Sequence, residues 1–240
     1  MLINPQELYN DLDRLEEIEK ASLRLVVQAL YEYRVDAQEI FRQESDNVAD
    51  IGEDITREAL DRLGMSRVDQ RLFGKVDYKR ARYVFHPEYA LKQALFVDSK
   101  AEKDSQNVAR IQITQTSMHV RQIRAGQEID IAGHLPVILQ LRDETYLTTT
   151  AFVKYHYHEN DVHGQTQNTL EAITVVALPS GMLQDKYNPT FTDTIWVAGP
   201  NAPSLGEEFR TRLSFQRLQA KANWRVQKIL MPPNEFHWNS

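Results

Sequence analysis

Cysteine is missing from all 240 residues. Disulfides and thiolate metal sites are therefore excluded, and the composition suits a reducing cytoplasm. Missing too is any apolar run near the ~20 residues that a membrane-crossing helix needs, so no membrane partner is expected. The opening MLINPQELYNDLDRLEE puts acids where a secretory signal needs a basic start and an apolar stretch. No glycine occurs before Gly52, and the only proline in that stretch, Pro5, sits where a helix can begin. Also absent are a Gly-rich phosphate loop, a Ser/His/Asp order, a nucleotide fingerprint and internal repeats, which removes the common nucleotide-dependent and serine-hydrolase chemistries.

What is present is an ordinary globular composition, 42% hydrophobic and 26% charged, in a chain long enough for one substantial core. Residues 199–206 (GPNAPSLG) form the only flexible-looking stretch, and a domain boundary there would leave too few residues for a second core. The net charge of −6 is unevenly spread: residues 1–64 carry −9, 65–125 carry +6, 126–200 carry −6 and 201–240 carry +3. The basic excess in 65–125 is what a polyanion-facing surface requires, although solvated faces also cluster charge.

Residues 5–43 read as helix, with apolar positions at Leu8, Leu12, Leu15, Ile18, Leu23, Val26, Leu30, Tyr33, Ala37 and Ile40, mostly three or four apart. Residues 45–64 read as a second helix that Gly64 terminates. Two strand-like runs follow at residues 73–78 and 94–98, with His86-Pro87-Glu88 between them as a turn. The runs end on Asp77 and Asp98, and Lys100 follows the second. Residues two apart on a strand share a face, so Asp98 and Lys100 project together, and Asp77 joins them if the runs are hydrogen-bonded neighbours. Two carboxylates and an ammonium fit a hard divalent cation such as Mg²⁺ beside a phosphodiester, with the lysine placing or deprotonating water. An exposed, salt-bridged hairpin is the competing reading.

Asp77 with Asp98-Ser99-Lys100 resembles the PD-(D/E)XK nuclease signature, with Val76 where proline is common. More specifically, DITREAL (54–60), VDYKRARY (76–83), LFVDSKA (95–101), KYNP (186–189) and WRVQ (224–227) resemble, in order and spacing, the SfiI-like type II restriction endonucleases of the BglI/SfiI branch. The resemblance implies an α/β, PD-(D/E)XK restriction-endonuclease-like fold. It has a central mixed β-sheet flanked by helices and a long N-terminal helical region, all in one endonuclease domain over 1–240. It implies Mg²⁺-dependent, sequence-specific cutting of double-stranded DNA to 5′-phosphate and 3′-hydroxyl ends, with Mn²⁺ as a substitute and Ca²⁺ supporting binding without cleavage. The expected metal ligands are Asp77, Asp98, the Ser99 carbonyl and Glu53, the helix acid that best matches the family's helical glutamate; Asp54 and Glu58 are its rivals. A homodimer or homotetramer in a prokaryotic cytoplasm is implied, together with a cognate DNA methyltransferase in the same cell that need not form a stable complex.

Residues 101–130 hold Arg110, Gln112, Gln115, Thr116, Ser117, His119, Arg121, Gln122 and Arg124, with almost no acids between Asp104 and Glu128. Arg and Gln read base edges and Ser and Thr hold phosphates, so this segment, expected as a loop or short helix, is the candidate DNA contact together with Lys79, Arg80 and Lys103. Residues 132–198 contain short β-branched and aromatic runs expected to extend the sheet. His156, His158 and His163 lack a complementary ligand set for zinc and are expected to face DNA or solvent. In the C-terminal 40 residues, Arg210, Arg212, Arg217, Lys221, Arg225 and Lys228 could face DNA or solvent. Two other function classes stay open: a repair or branched-DNA nuclease of the same superfamily, and a DNA-binding protein without catalysis.

Overall fold

The N-terminal helix begins with local chemistry. The Asn4 side chain accepts from Gln6 N while Glu7 reaches back to Asn4 N, which opens a short 3-10 helix at Pro5–Asn10. Asp11 then accepts from Arg14 N at 3.1 Å and starts α1, Leu12–Gln43. Its stripe of Leu15, Ile18, Leu23, Val26, Leu30, Tyr33 and Ala37 is buried, as the spacing predicts, whereas Leu12 is exposed, Ile40 is half-buried and Phe41 takes the core position at that end. The second helix, α2, covers Val48–Arg62 and leads to Gly64, whose φ of +71° marks a left-handed ending. This computed structural model describes residues 2–44, 48–66, 81–103, 106–162, 165–199 and 209–240.

The strands follow in order: β1 Arg82–His86, β2 Leu91–Glu102, β3 Val108–Gln112, β4 Val120–Arg124, β5 Gln127–Ile131, β6 Ile138–Leu141, β7 Glu144–Val162 and β8 Gln165–Leu178. The short helix α3 (Gln184–Tyr187), β9 (Trp196–Val197), β10 (Arg210–Ser214), α4 (Phe215–Lys221) and β11 (Val226–Leu230) complete the chain. A six-stranded mixed sheet runs β1-β2-β7-β8-β11, with β6 alongside the start of β7. Among the described strands of this sheet only β2 and β7 pair in parallel; the other pairs are antiparallel. Two smaller sheets, β3-β10-β9 and the β4-β5 hairpin, stand apart from it.

β7 sorts the faces. Val153, Tyr155 and Tyr157 pack with Phe41, Ile51 and Ile55 of the two helices, and Phe41 stacks on Tyr155 at 5.7 Å. Phe152, on the other face, packs with Ala109, Ile111 and Leu213 of the small sheet. The central sheet is thus covered by α1 and α2 on one side and by β3-β10-β9 on the other.

The partner of β2 is Arg82–His86, and residues 87–90 make the turn expected at His86-Pro87-Glu88. The expected strand at 73–78 lies outside the described residues. The expected loop or short helix after β2 is instead β3, one helical turn at Ile113–Gln115 and the β4–β5 hairpin. The TIWVA run joins the small sheet through β9, so it does not extend the central one. Among the described residues no helix is long and apolar enough to cross a membrane.

Candidate active site

β2 is the strand that positions the chemistry. Its alternation sends Ser99 toward α2, where its Oγ donates to Thr56 Oγ1 at 2.8 Å and Thr56 shares a 2.7 Å hydrogen bond with the Tyr155 hydroxyl. Burial pushes the Tyr155 phenol well above its usual pKa, so this chain of hydroxyls stays neutral. Asp98 and Lys100 project from the opposite face, as the period of two requires. Asp98 is 4% exposed, and its Oδ2 accepts from Gln115 Nε2 at 2.7 Å. The Lys100 amine donates to the Arg110 carbonyl at 3.2 Å. Both side chains thus reach the segment that follows β2.

The same face carries a lysine that composition did not single out. Lys154 is fully buried opposite Lys100 in the β2–β7 register, and donates to the carbonyls of Gln106 (2.9 Å) and Val108 (3.2 Å) while pairing with Glu102 (2.7 Å). A lysine inside the β-branched, aromatic run of β7 was the sequence signal for it.

Asp77, Lys79 and Arg80 lie outside the described residues. Just beyond them, Arg82 is buried and its guanidinium pairs with Asp61 and donates to the carbonyls of Met65 (3.1 Å) and Arg57 (3.3 Å). One of these carbonyls lies in the last two turns of α2 and the other just past its end, so the cation complements that helix end and ties the start of β1 to it. Glu53 is exposed on α2, next to Gly52, where the helix lies close against the sheet: a Cβ there would lie 3.0 Å from the Tyr155 ring and 3.4 Å from Ala101 N. Asp54 pairs with Arg57 and Glu58 with Arg62, on exposed helix surface. No group of three or more His, Asp or Glu side chains converges among the described residues. The donors at hand, a fixed carboxylate and strand carbonyls, are all oxygen, which is the set a hard divalent cation takes.

The candidate DNA contacts divide. Arg110 and Gln112 are half-buried on one face of β3, opposite Arg212 and Arg210 of β10, while Ala109, Ile111 and Leu213 turn into the core. Gly199 has room only for a hydrogen there, since a Cβ would lie 2.5 Å from Arg212 Nε. Arg124 lies 5.6 Å from the Phe209 ring centre, and exposed Lys103 pairs with Glu159. Thr116 is a correction: it is 2% exposed and its hydroxyl accepts from Met118 N, so it braces a turn instead of facing a duplex. Ser117 accepts from Gly181 N at 2.8 Å. His119 and Arg121 both hold Asp130 across the hairpin, at 2.7 and 3.1 Å, and Arg121 also donates to the Pro189 carbonyl at 3.0 Å. Burial raises the Asp130 pKa, but His119 and Arg121 outweigh that and keep it below the ordinary value.

Two further expectations are corrected. Arg225 faces neither DNA nor solvent: it is fully buried, donates to Glu19 at 2.6 Å and Glu16 at 3.1 Å, and lies 4.4 Å from the ring centres of both Tyr187 and Trp224. His156 is buried as well, hydrogen-bonded to Thr174 Oγ1 at 2.8 Å, while His158 lies 3.0 Å from Glu171. His163 lies outside the described residues.

A family model described as type II restriction enzyme SfiI matches residues 31–229. The type II restriction enzyme SfiI of Streptomyces fimbriatus is 36% identical over 230 residues, covering 91% of this chain and 85% of that one. Among solved structures, tetrameric restriction endonuclease SfiI bound to cognate DNA matches with a TM-score of 0.83 at 32% identity, covering 98% of this chain and 90% of that one. Restriction endonuclease BglI bound to its DNA recognition sequence matches at 0.73 and 16% identity, covering 95% and 94%, a likeness of fold alone.

Proposed function

The chain belongs to the SfiI family of type II restriction enzymes and is a site-specific deoxyribonuclease, and we propose that it cuts double-stranded DNA at a partly symmetric site with Mg²⁺. The observation that carries this reading is the joint projection of Asp98 and Lys100 from β2 toward β3 and its following turn. Asp77, Asp98, the Ser99 carbonyl and Glu53 are the residues that would hold the cation. When bound, Mg²⁺ supplies charge neutralisation at the scissile phosphate and a more acidic water. Lys100 orients the attacking water and offsets the charge that builds on phosphorus-bound oxygen. The water oxygen bonds to phosphorus as the bond to the 3′ oxygen breaks, leaving 5′-phosphate and 3′-hydroxyl ends.

The β3–β10 face is the natural place for the phosphate backbone. Arg110 and Arg212 are directly opposed like charges, an arrangement that costs energy unless an anion sits against them. Lys79, Arg80, Lys103, Gln112 and Arg124 would add to this contact, and the β4–β5 hairpin is narrow enough to enter a groove. A twofold-related site calls for twofold-related subunits, so a homodimer or, as in the tetrameric relative, a homotetramer is the working form. Mn²⁺ would replace Mg²⁺, the setting would be a prokaryotic cytoplasm, and a cognate methyltransferase would protect the host genome. Incubating plasmid DNA with the protein and Mg²⁺ tests the reading: discrete fragments support it, and no cutting, or cutting confined to branched DNA, contradicts it.

A further inference from the structure

Gln115 has the composition of a base-reading residue, but its amide is turned inward. Its Oε1 accepts from Gln112 N at 2.8 Å, so its Nε2 must point the other way, and there it donates to Asp98 Oδ2 at 2.7 Å. The orientation of the amide is set by the backbone, because a carbonyl oxygen can accept from an N–H where an amide nitrogen cannot. Gln112 closes β3, and the turn at Ile113–Gln115 follows without a break. The Arg110 carbonyl in the same strand receives the Lys100 amine at 3.2 Å. The strand whose Arg110 and Gln112 side chains lie on the β3–β10 face thus tethers both active-site groups through its backbone and one amide.

We propose that Gln115 is a positioning residue for cleavage: it fixes the plane of the Asp98 carboxylate for the divalent cation and links that carboxylate to the register of β3. This rests on the reading of Asp98 as a metal ligand. Hydrogen bonds behind a ligand orient it, and their loss typically costs about 10–100-fold in metal affinity or activity. Displacement of β3 would move Asp98 and Lys100 together, so docking of the β3–β10 face on DNA and alignment of the active site become one event.

Gln115→Met keeps the length of the side chain and removes the donor; Gln115→Ala removes the side chain. The measurement is Mn²⁺ affinity, from the free-ion EPR signal, beside the Mg²⁺ dependence of single-turnover cutting of a plasmid that the wild type cleaves. Both variants are expected to weaken Mn²⁺ binding about tenfold or more and to raise the half-saturating Mg²⁺ in step, with the melting temperature held within about 3 °C. Unchanged Mn²⁺ affinity in both variants overturns the proposal, whether the variants lose stability or lose DNA binding. A wild type that cuts while Gln115→Met matches it sinks this inference alone. A wild type that neither binds Mn²⁺ nor cuts sinks the proposed function with it.

Discussion

Lys100 and Lys154 stand side by side in the parallel register of β2 and β7, and their amines donate to alternate carbonyls of one strand, Arg110 and Val108 of β3. β3 is an outer strand of its small sheet, and such an edge needs its carbonyls satisfied. Two lysines from the central sheet do this. One of the two is proposed to serve cleavage, while the other is buried and also paired with Glu102.

Lys154→Met should therefore act through stability. It leaves two carbonyls and the Glu102 carboxylate without their cation, which costs about 2–3 kcal/mol. A fall in melting temperature of roughly 5–10 °C is expected. Thermal unfolding followed by circular dichroism checks this, and an unchanged midpoint would show that the buried amine is dispensable.

Glu16, beside Arg225, should lend the fold sensitivity to acid, in contrast to Glu19, whose carboxyl burial pushes upward. Burial raises the Glu16 pKa, but Lys186, Tyr187 and Arg225 together outweigh it and leave it lowered. A carboxylate with a depressed folded pKa stabilises the fold above its unfolded value of about 4.3, and that contribution fades as pH falls through the folded value. Glu16→Gln should cost about 1–2 kcal/mol at pH 7. The gap to wild type should narrow as pH falls below the unfolded value of about 4.3, as read by denaturant titration across pH. A gap that widens on acidification would reverse the sign.

Gly52 tests how closely α2 must lie on β2. Alanine is the better helix former by about 1 kcal/mol, but its Cβ would meet the Tyr155 ring at 3.0 Å. Tyr155 is fully buried, stacked on Phe41 and hydrogen-bonded to Thr56, and has little room to yield. Gly52→Leu is expected to lose about 2 kcal/mol or more in chemical denaturation. A neutral result would mean that the helix can ride higher on the sheet.

How much of this the sequence disclosed depended on range. The stripe of α1 was legible because its apolar residues repeat every three or four positions, and its end at Gln43 matches the reading. The shared face of Asp98 and Lys100 followed from strand periodicity. The burial of Arg225 is not legible in its surroundings, because its partners, Glu16 and Glu19, lie more than 200 residues away in the chain. The segment after β2 reads as a loop or short helix because Thr116, Gln115 and Gln122 look available by composition. Each has an internal partner instead: Met118 N, Asp98 and Thr211. Polar residues turned inward look the same in a sequence as polar residues turned out.

Ca²⁺ gives a further check on the oxygen-donor site. It takes the same ligands at longer distances and with looser geometry, so it should support DNA binding in a gel-shift assay while cutting stays undetectable. Cleavage at the Mg²⁺ rate would contradict the placement of water and lysine around a small, octahedral ion.

The most direct measurement compares Asp98→Ala with wild type, by Mg²⁺-dependent cutting and by affinity for a fragment that the wild type cleaves. Removing a carboxylate from beside the phosphate eliminates cutting and also relieves repulsion, so activity should fall by at least about a thousandfold while DNA affinity holds or rises. Cutting within about tenfold of wild type would contradict the account, because Asp98 would then not be the group that grips the cation.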